Sequence, residues 1–216
     1  MGMGEDIRIQ IAKRAAKEIK DGNIVNLGIG IPSLVPNFLE NKTNVMIQAE
    51  NGVLGIGKTP ASGLEDKNLC NAAGYPVTTI SGASYVDSSI SFGMIRKGYI
   101  DITILGALQV SEKGDLANWI VPGKRVPGMG GAMELAQKAK KVIVVMSHLT
   151  KNGQSKIVQN CSLPLTSGRC VDLIITDFAV IKVEKEKLKL IEVMGSKTVE
   201  DVINNTDADI TIDKLK

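Results

Sequence analysis

Short runs of aliphatic and β-branched residues alternate with stretches of helical periodicity along most of the chain. Apolar residues recur at helical spacing from Ile7 to Ile19, and the next apolar run, Ile24–Leu27, has the length of a buried strand. The same patterns predict strands at Val45–Gln48, Asp101–Leu105, Val142–Met146 and Val171–Thr176, and helices at Asp87–Arg96, Gly131–Ala139 and Val199–Asn204. Apolar strands that alternate with helices are typical of an α/β protein whose largely parallel sheet is covered on both faces.

The pattern changes after Phe178. Ala179–Val183 and Leu188–Val193 alternate around the charged segment Glu184–Lys187, which predicts a β-hairpin. A short helix near Val199–Asn204 is expected to close the chain. The sequence has no internal repeat, low-complexity tract or linker, and 216 residues suit one well-buried domain. We therefore expect a single α/β domain over residues 1–216, with an open, largely parallel sheet flanked by helices and a C-terminal hairpin.

Composition narrows the classes of function. The formal net charge is only +3, and aromatic residues make up 3% of the chain, so neither a strongly basic surface nor a base-stacking surface for nucleic acid is expected. The single histidine excludes a metal site built from several histidines. Apolar runs such as Val142–Met146 are far shorter than the ~18 residues of a membrane span, so no membrane partner is expected.

The cysteines and the N-terminus predict a compartment. Cys70, Cys161 and Cys170 are far apart and form no C-x-x-C pair, which is typical of reduced thiols in the cytoplasm. The sequence begins with an acidic segment that lacks the apolar core of a secretory signal. We expect a cytoplasmic protein whose cysteines are small core or surface residues without a lowered thiol pKa.

The first loop that could carry chemistry is Asn26–Pro32, in which Gly28 and Gly30 follow a predicted strand. A strand, a glycine turn and a helix start can direct backbone N–H groups towards an anionic ligand. The dinucleotide-binding fingerprint needs a third glycine, which is missing here. The loop is therefore interpreted either as a ligand-binding turn or as a tight strand-to-helix connection that needs small residues.

The second loop is Gln48–Gly57, in which Glu50, Asn51 and Gly52 follow a buried strand. Its carboxylate is expected at the carboxyl edge of the sheet, where α/β proteins bind ligands. Glycines on both sides would let a substrate or another stretch of backbone come close. A functional Glu50 is the favoured interpretation, and a carboxylate that only accepts hydrogen bonds from turn amides is the alternative.

The third loop, Pro122–Glu134, runs through several glycines into a predicted helix. Amides around Gly130 and Gly131 can stabilise an oxyanion there. Lys124 and Arg125 could meet a phosphate, although such a basic pair is usually solvated. The Gly-Lys-Ser/Thr spacing of a P-loop is absent.

His148 lies just after a predicted strand and could face a cleft. A structural role is the favoured interpretation, because spacing identifies no catalytic partner for it. The sequence has no nucleophile elbow that would support Ser-His-Asp catalysis.

Taken together, the loops resemble the β chain of family I CoA-transferases. The similarity begins with the loops Asn26–Pro32 and Glu50–Gly57 and covers nearly the whole chain. Further matching segments follow in the family's order: Ser91–Arg96, Leu105–Val110, Ala117–Lys124, Gly128–Met133 and Leu163–Thr166. Within that family the chain resembles the bacterial acetate- or butyrate–acetoacetate enzymes, and the C-terminal half of the fused succinyl-CoA:3-oxoacid CoA-transferases is also similar. Ala49 departs from the family, which usually has serine before the catalytic glutamate.

The resemblance implies ping-pong transfer of CoA from an acyl-CoA to a short-chain carboxylic or 3-oxo acid through a glutamyl-CoA thioester. Glu50 is then the nucleophile, and Asn26, Gly130 and Gly131 bind reacting carbonyl oxygens. The substrate-binding loops are expected to include Gly28, Gly30, Asn51 and Gly52. No metal and no permanently bound cofactor are implied, because CoA itself is substrate and covalent intermediate. A homologous α subunit is implied as partner, as in a heterotetramer.

Other functions stay open on the residues alone. The main alternative is a nucleotide- or sugar-phosphate-binding α/β domain that uses the Gly28–Gly30 loop without covalent chemistry. Two further alternatives are a non-catalytic regulatory subunit and a hydrolase. In the hydrolase, water would cleave the acyl-glutamyl anhydride that forms when Glu50 attacks the acyl-CoA. The sequence does not select among acetate, butyrate, acetoacetate, succinate and 3-oxoadipate, because a methylene in such a pocket is worth only ~1–3 kcal/mol.

Overall fold

A computed structural model describes residues 3–123 and 128–212. Its helices are α1 (Glu5–Ala16), a 3-10 helix (Ile31–Phe38), α2 (Ser88–Arg96), α3 (Ala132–Lys138) and α4 (Val199–Asn204). Its strands are β1 (Ile24–Leu27), β2 (Met46–Ala49), β3 (Val53–Ile56), β4 (Thr79–Tyr85), β5 (Ile102–Gly106), β6 (Gln109–Ser111), β7 (Leu116–Ala117), β8 (Lys141–Val145), β9 (Ile157–Val158), β10 (Leu173–Ile175), β11 (Ala179–Glu184), β12 (Lys187–Val193) and β13 (Ile210–Ile212).

One large sheet organises the fold, with strand order β13-β12-β11-β10-β8-β5-β1-β2-β3-β4. The middle strands β10, β8, β5, β1 and β2 are parallel. Strands β3 and β4 extend one side in antiparallel fashion, and β11 and β12 extend the other. The predicted α/β fold with a largely parallel sheet is confirmed, and the carboxyl ends of the central strands share one edge. Strands β7, β6 and β9 form a separate small sheet.

The central strands are buried on both faces, as their continuous apolar sequences require. On one face, Ile104 and Val145 belong to the core that includes Ile11 of α1. On the other, Val144 packs in the core that includes Leu135 of α3. Successive residues of a strand point to opposite faces, so each of these strands contributes to two separate hydrophobic layers.

Several predicted boundaries coincide with capping groups. Asp87 accepts a hydrogen bond from the Ser89 N–H at the start of α2, and Thr198 and Asp201 form a capping box on α4. Helix α1 ends at Ala16 with Lys17 as its C-cap, so Gly22 does not cap it. Gly22 adopts φ 75° in the turn before β1 and donates its N–H to the Thr43 carbonyl at 3.0 Å, in the loop before β2.

The C-terminal hairpin is confirmed as β11 and β12, and its turn residues Lys185 and Glu186 adopt the left-handed φ values of 52° and 60°. The hairpin is not a separate appendage, because β11 pairs with β10 and so continues the main sheet. The expectation that the helix Val199–Asn204 closes the chain is wrong, because β13 follows it and pairs in parallel with β12.

Candidate active site

Glu50 lies where the sequence places it, at the carboxyl edge of the sheet immediately after β2. Strand β1 runs parallel beside β2, with Asn26 opposite Gln48 in the register. Because side chains alternate along a strand, Gln48 and Glu50 point to the same face of the sheet. The parallel pairing therefore brings Asn26, from the first glycine loop, next to Glu50, from the second.

A buried hydrogen-bond network holds one side of the Glu50 carboxylate. The Asn26 Nδ2 group donates to Glu50 Oε2 at 3.0 Å and to Gln48 Oε1 at 2.8 Å. The Gln48 Nε2 group donates to Ser91 Oγ at 2.6 Å, and the Ser91 hydroxyl donates to the Ala49 carbonyl at 3.1 Å. Asn26, Gln48 and Ser91 are all buried. The amide that orients Glu50 is therefore itself fixed by strand β2 and helix α2.

The other side of the carboxylate lies against backbone. A Cβ atom built on Gly131 would be 3.2 Å from Glu50 Oε1, 3.3 Å from Glu50 Cγ and 3.4 Å from the ring of Phe92. Gly131 precedes α3 and is buried, whereas Gly130 is exposed and adopts φ 56° with open space around it. Of the two glycines predicted to bind an oxyanion, Gly131 lies in contact with Glu50.

An ion pair joins helix α2 to helix α3, the two helices next to the site. Arg96 Nε lies 2.7 Å from Glu134 Oε1, and the Arg96 guanidinium lies 5.6 Å from the centroid of the Phe92 ring. An exposed pair of this kind contributes only about 0–1 kcal/mol to stability. Its effect is geometric, because it ties the helix that carries Phe92 to the helix that follows Gly131.

Two buried polar atoms within residues 3–123 and 128–212 have no hydrogen-bond partner: Asn26 Oδ1 and Thr103 Oγ1. Asn26 lies opposite Thr103 in the β1–β5 register, so the two atoms belong to adjacent positions of neighbouring strands. Leaving a buried polar atom unpaired costs about 1–3 kcal/mol. The Asn26 side chain therefore orients Glu50 through its Nδ2 group alone.

The glycines of the first loop have mainly conformational roles. The Gly28 N–H donates to the Ile104 carbonyl at 2.8 Å, and a Cβ at Gly28 would lie 3.3 Å from that oxygen. Gly30 has φ 89° and precedes a 3-10 helix, not the α-helix whose start would direct several amides at an anion. Close packing against β5 and a left-handed turn thus account for these two glycines.

Asn51 and Gly52 shape the turn that carries Glu50. The Asn51 Nδ2 group donates to the Cys70 carbonyl at 2.9 Å, and the Asn51 side chain is exposed. Gly52 has φ 112°, and a Cβ there would lie 2.0 Å from the Val86 carbonyl oxygen. Gly52 is therefore required by the local fold, Asn51 joins the turn to the Cys70 carbonyl, and neither side chain position is hydrogen-bonded to Glu50 within the described residues.

His148 is a structural histidine, as the sequence favours. It is fully buried, and its ring stacks on Phe178 with centroids 4.7 Å apart. The Thr206 hydroxyl donates to the Val202 carbonyl at 2.7 Å, so His148 Nε2 donates to Thr206 Oγ1 at 3.0 Å, and Nδ1 accepts from the Thr176 hydroxyl at 3.0 Å. Burial lowers the pKa of His148 to about 4.

The remaining candidates contribute little to the site. Burial raises the pKa of the Cys161 and Cys170 thiols to about 11, so neither thiol is activated. Lys124 and Arg125 lie outside the described residues. Within the described ranges, no cluster of His, Cys, Asp or Glu is arranged to hold a metal ion, and none of the helices is long and apolar enough to cross a membrane.

Sequence reasoning did not single out Gln48, Ser91 or Phe92. Gln48 is a polar residue inside a buried strand, and that anomaly was the available signal for it. Ser91 and Phe92 belong to the Ser91–Arg96 block, which carries part of the family resemblance but has no chemistry of its own in the sequence. The arrangement they complete, an oriented carboxylate beside glycine backbone, suits covalent attack on an acyl carbon.

Comparisons with known proteins identify the family from sequence and support the fold from structure. The coenzyme A transferase family model matches residues 8–205. The chain is 65% identical over 213 residues to the beta chain of a probable coenzyme A transferase of Bacillus subtilis, covering 99% of this chain and 98% of that protein. It is 48% identical over 206 residues to the B chain of the succinyl-CoA:3-ketoacid coenzyme A transferase of Helicobacter pylori, covering 95% and 99%. An acyl-CoA transferase structure from Escherichia coli O157:H7 shares the fold, with a TM-score of 0.78, 20% identity and coverage of 99% of this chain and 43% of that one.

Substituting Gly131 tests the contact with Glu50. In Gly131→Ala the new methyl group would lie 3.2 Å from Glu50 Oε1, so we expect a crystal structure to show the carboxylate displaced from Asn26. Gly130→Ala is the control, because its methyl group meets open space and its left-handed φ costs only about 1–2 kcal/mol of stability. If the Glu50 carboxylate keeps its position in Gly131→Ala, it is not closely packed against Gly131.

His148 makes folding stability depend on pH. The pKa of His148 is about 4 in the folded chain, below the ordinary 6.5, so the unfolded chain binds the proton more tightly. The free energy of unfolding therefore falls as the pH drops below 6.5. The expected loss between about pH 7 and about pH 5 is roughly 2 kcal/mol, measured by urea unfolding. His148→Gln is the control and should lack this component. An equal pH dependence in both proteins would contradict a buried neutral imidazole.

Proposed function

Because the chain belongs to the coenzyme A transferase family, we propose that it is the catalytic β chain of a CoA-transferase and that Glu50 carries CoA during turnover. One observation carries the proposal: the Glu50 carboxylate is oriented by the buried Asn26 amide on one side and lies against Gly131 on the other. Covalent catalysis needs a nucleophile held in one orientation next to donors that can receive developing negative charge.

The proposed reaction proceeds through two kinds of glutamyl intermediate. The Glu50 carboxylate attacks the thioester carbonyl of an acyl-CoA and expels CoA thiolate, which leaves an acyl-glutamyl anhydride. The thiolate attacks the glutamyl carbonyl, the first carboxylic acid departs, and a glutamyl-CoA thioester remains. A second acid reverses these steps and leaves as the new acyl-CoA. Division of one exchange into smaller covalent steps gives ping-pong kinetics. Since one thioester replaces another, CoA enters as substrate, and no permanently bound cofactor is proposed.

Asn26 and the third loop supply the electrostatic part of the mechanism. Asn26 Nδ2 already donates to Glu50 Oε2, so the same N–H group remains beside that oxygen when it becomes the carbonyl oxygen of the anhydride or thioester. The backbone at Gly131, and at Gly130 before it, is proposed to donate to the oxyanion formed on attack. Removal of one such donor typically costs about 2.7–4 kcal/mol of transition-state stabilisation.

The proposed substrates are an acyl-CoA and short-chain carboxylic or 3-oxo acids, with acetate, butyrate and acetoacetate as the leading candidates. The Helicobacter relative is named for succinyl-CoA and a 3-ketoacid, which supports a 3-oxo acid as one partner in the exchange. Gly28, Gly30, Asn51 and Gly52 are proposed to shape the substrate-binding loops through the turns described above, more than through direct contact.

A homologous α subunit is the proposed partner, in a heterotetramer in the cytoplasm. The Bacillus and Helicobacter relatives are themselves named as single subunits, beta and B respectively, of their enzymes. Glu50 is only half-buried and Gly130 is exposed, yet the anhydride must be kept from water during turnover. A second chain that covers this edge of the sheet would supply the missing enclosure.

The noncovalent alternative, a nucleotide- or sugar-phosphate-binding domain, finds little support in the first loop. Phosphate binding there would need free backbone amides at the start of a helix. The Gly28 N–H is instead donated to Ile104, and a 3-10 helix follows. This alternative is therefore not favoured.

Mass spectrometry tests the Glu50 assignment. The chain is co-expressed with the α subunit, incubated with acetoacetyl-CoA, and digested for peptide mapping. We expect one CoA adduct, removable by hydroxylamine, on the peptide that contains Glu50. Glu50→Gln should lose the adduct and lower transfer roughly a thousandfold or more, because no carboxylate is left to attack. Glu65→Gln, at an exposed position, is the matched control and should behave as wild type.

The same experiment tests the partner. The isolated β chain should transfer no CoA, because its site is open to water on one side. An adduct on another residue, or full activity in Glu50→Gln, would contradict the assignment of Glu50. Full activity of the β chain alone would contradict the proposed role of the α subunit.

A further inference from the structure

A cavity of about 390 Å³ lies behind the candidate active site. That volume falls within the ~300–1,000 Å³ range of small-molecule pockets. Its walls come from the first glycine loop and the 3-10 helix, the ends of β2 and β3, and the loop before β4. Its lining includes Arg8 of α1 together with Leu27, Ile47, Ala49, Asn71 and Tyr75.

The cavity is on the face of the sheet opposite to the Glu50 carboxylate. Ile47, Gln48 and Ala49 all line it, but the Gln48 side chain is hydrogen-bonded to Asn26 and to Ser91 of α2, so the alternating side chains that face the cavity are those of Ile47 and Ala49. Because side chains alternate along β2, Glu50 points away from the cavity even though Ala49 precedes it directly. A molecule in the cavity is therefore adjacent to the nucleophile along the backbone but cannot react with its carboxylate.

The lining indicates the chemical class of the ligand. Apolar side chains such as Leu27, Ile47 and Ala49 form the interior, and Arg8 is the one charged residue in the lining described by the structure. Arg8 forms no ion pair with any described residue, so its guanidinium is available to a ligand. An apolar interior with one cation suits a small molecule that has an apolar body and one carboxylate.

Local hydrogen bonds hold the part of the cavity wall formed by Asn71 and Tyr75. Asn71 Oδ1 accepts hydrogen bonds from the N–H groups of Ala73 and Tyr75, at 3.0 and 3.1 Å. The Asn71 N–H donates to the Tyr75 carbonyl at 2.9 Å, which closes the turn from the other side. A wall with this many local hydrogen bonds loses little conformational entropy when a ligand binds.

We propose that this cavity binds a small amphipathic carboxylate, with its carboxylate on Arg8 and its apolar end against Ala49, at a site separate from the reaction at Glu50. The inference rests on the proposed function in one respect, because acids of this class are the substrates and products of that reaction. The Asn51–Cys70 hydrogen bond of 2.9 Å joins the cavity wall, at the residue before Asn71, to the turn that carries Glu50.

Calorimetric titration tests the site. Butyrate and its uncharged analogue butyramide are titrated into the full chain purified with the α subunit, using the Glu50→Gln variant so that no covalent chemistry interferes. We expect saturable binding of butyrate in this background and binding at least about tenfold weaker for butyramide, because only the carboxylate pairs with Arg8. Adding Arg8→Gln should weaken butyrate binding about tenfold and leave butyramide unchanged. Lys13→Gln, which removes a charge from the same helix outside the cavity, is the matched control.

Each outcome decides one question. Butyrate binding that Arg8→Gln leaves unchanged, or no binding to Glu50→Gln at millimolar butyrate, would overturn the cavity proposal. Failure of Glu50 to form a CoA adduct would overturn the proposed function instead, and it would leave the titration result unaffected. If Arg8→Gln also lowers the affinity for butyramide, the variant has altered the fold, and Arg8→Lys, which keeps the charge, should then restore butyrate binding if the proposal holds.

Discussion

The hydrogen bond from the Asn26 amide to the Glu50 carboxylate is the interaction on which the site depends. It exists because β1 and β2 are adjacent and parallel, so their carboxyl ends meet at one edge of the sheet. Gln48 and Ser91 hold the Asn26 amide in place from β2 and α2. The carboxylate is thus oriented by the central sheet, whose strands are buried on both faces.

This arrangement lowers the stability of the folded chain, and the rest of the fold offsets that loss. Asn26 Oδ1 and Thr103 Oγ1 are buried without partners, and each unpaired atom lowers stability by about 1–3 kcal/mol. The two hydrophobic layers on either side of the sheet offset that loss through residues such as Ile104 and Val144, which are fully buried. Buried polar atoms that lack hydrogen-bond partners and cluster beside a reactive group are typical of functional sites.

The sheet also separates two chemical environments at the same edge. On one face the Glu50 carboxylate meets an amide and glycine backbone, which suits charge development during acyl transfer. On the other face an apolar cavity has Arg8 as its charged residue, which suits recognition of a bound anion without reaction. Alternation along β2 produces this division, since neighbouring residues Ala49 and Glu50 face opposite sides.

The sequence predicts the central architecture well and the periphery poorly, for physical reasons. Buried parallel strands are continuous apolar runs, so β1, β5 and β8 stand out, whereas β4 is largely exposed and β13 is short. Glu50 is singled out because it follows an apolar run in a glycine loop, whereas Asn26 is singled out only through the family resemblance. The Gln48–Ser91 contact joins residues 43 apart, so no local pattern reveals it. Likewise, glycine is needed at position 52 because a Cβ atom there would lie 2.0 Å from the Val86 carbonyl oxygen, a neighbour that only the folded chain provides.

The most direct test of the central claim is the single-turnover rate at which Glu50 acquires CoA when Asn26 is replaced. Asn26→Ala removes the orienting amide, and the account predicts that this rate falls roughly 10²–10³-fold. Thr103→Val is the matched control, because it removes the neighbouring unpaired hydroxyl and should leave the rate near that of wild type. A wild-type rate of CoA acquisition in a folded Asn26→Ala protein would contradict the claim that this amide prepares the carboxylate for reaction.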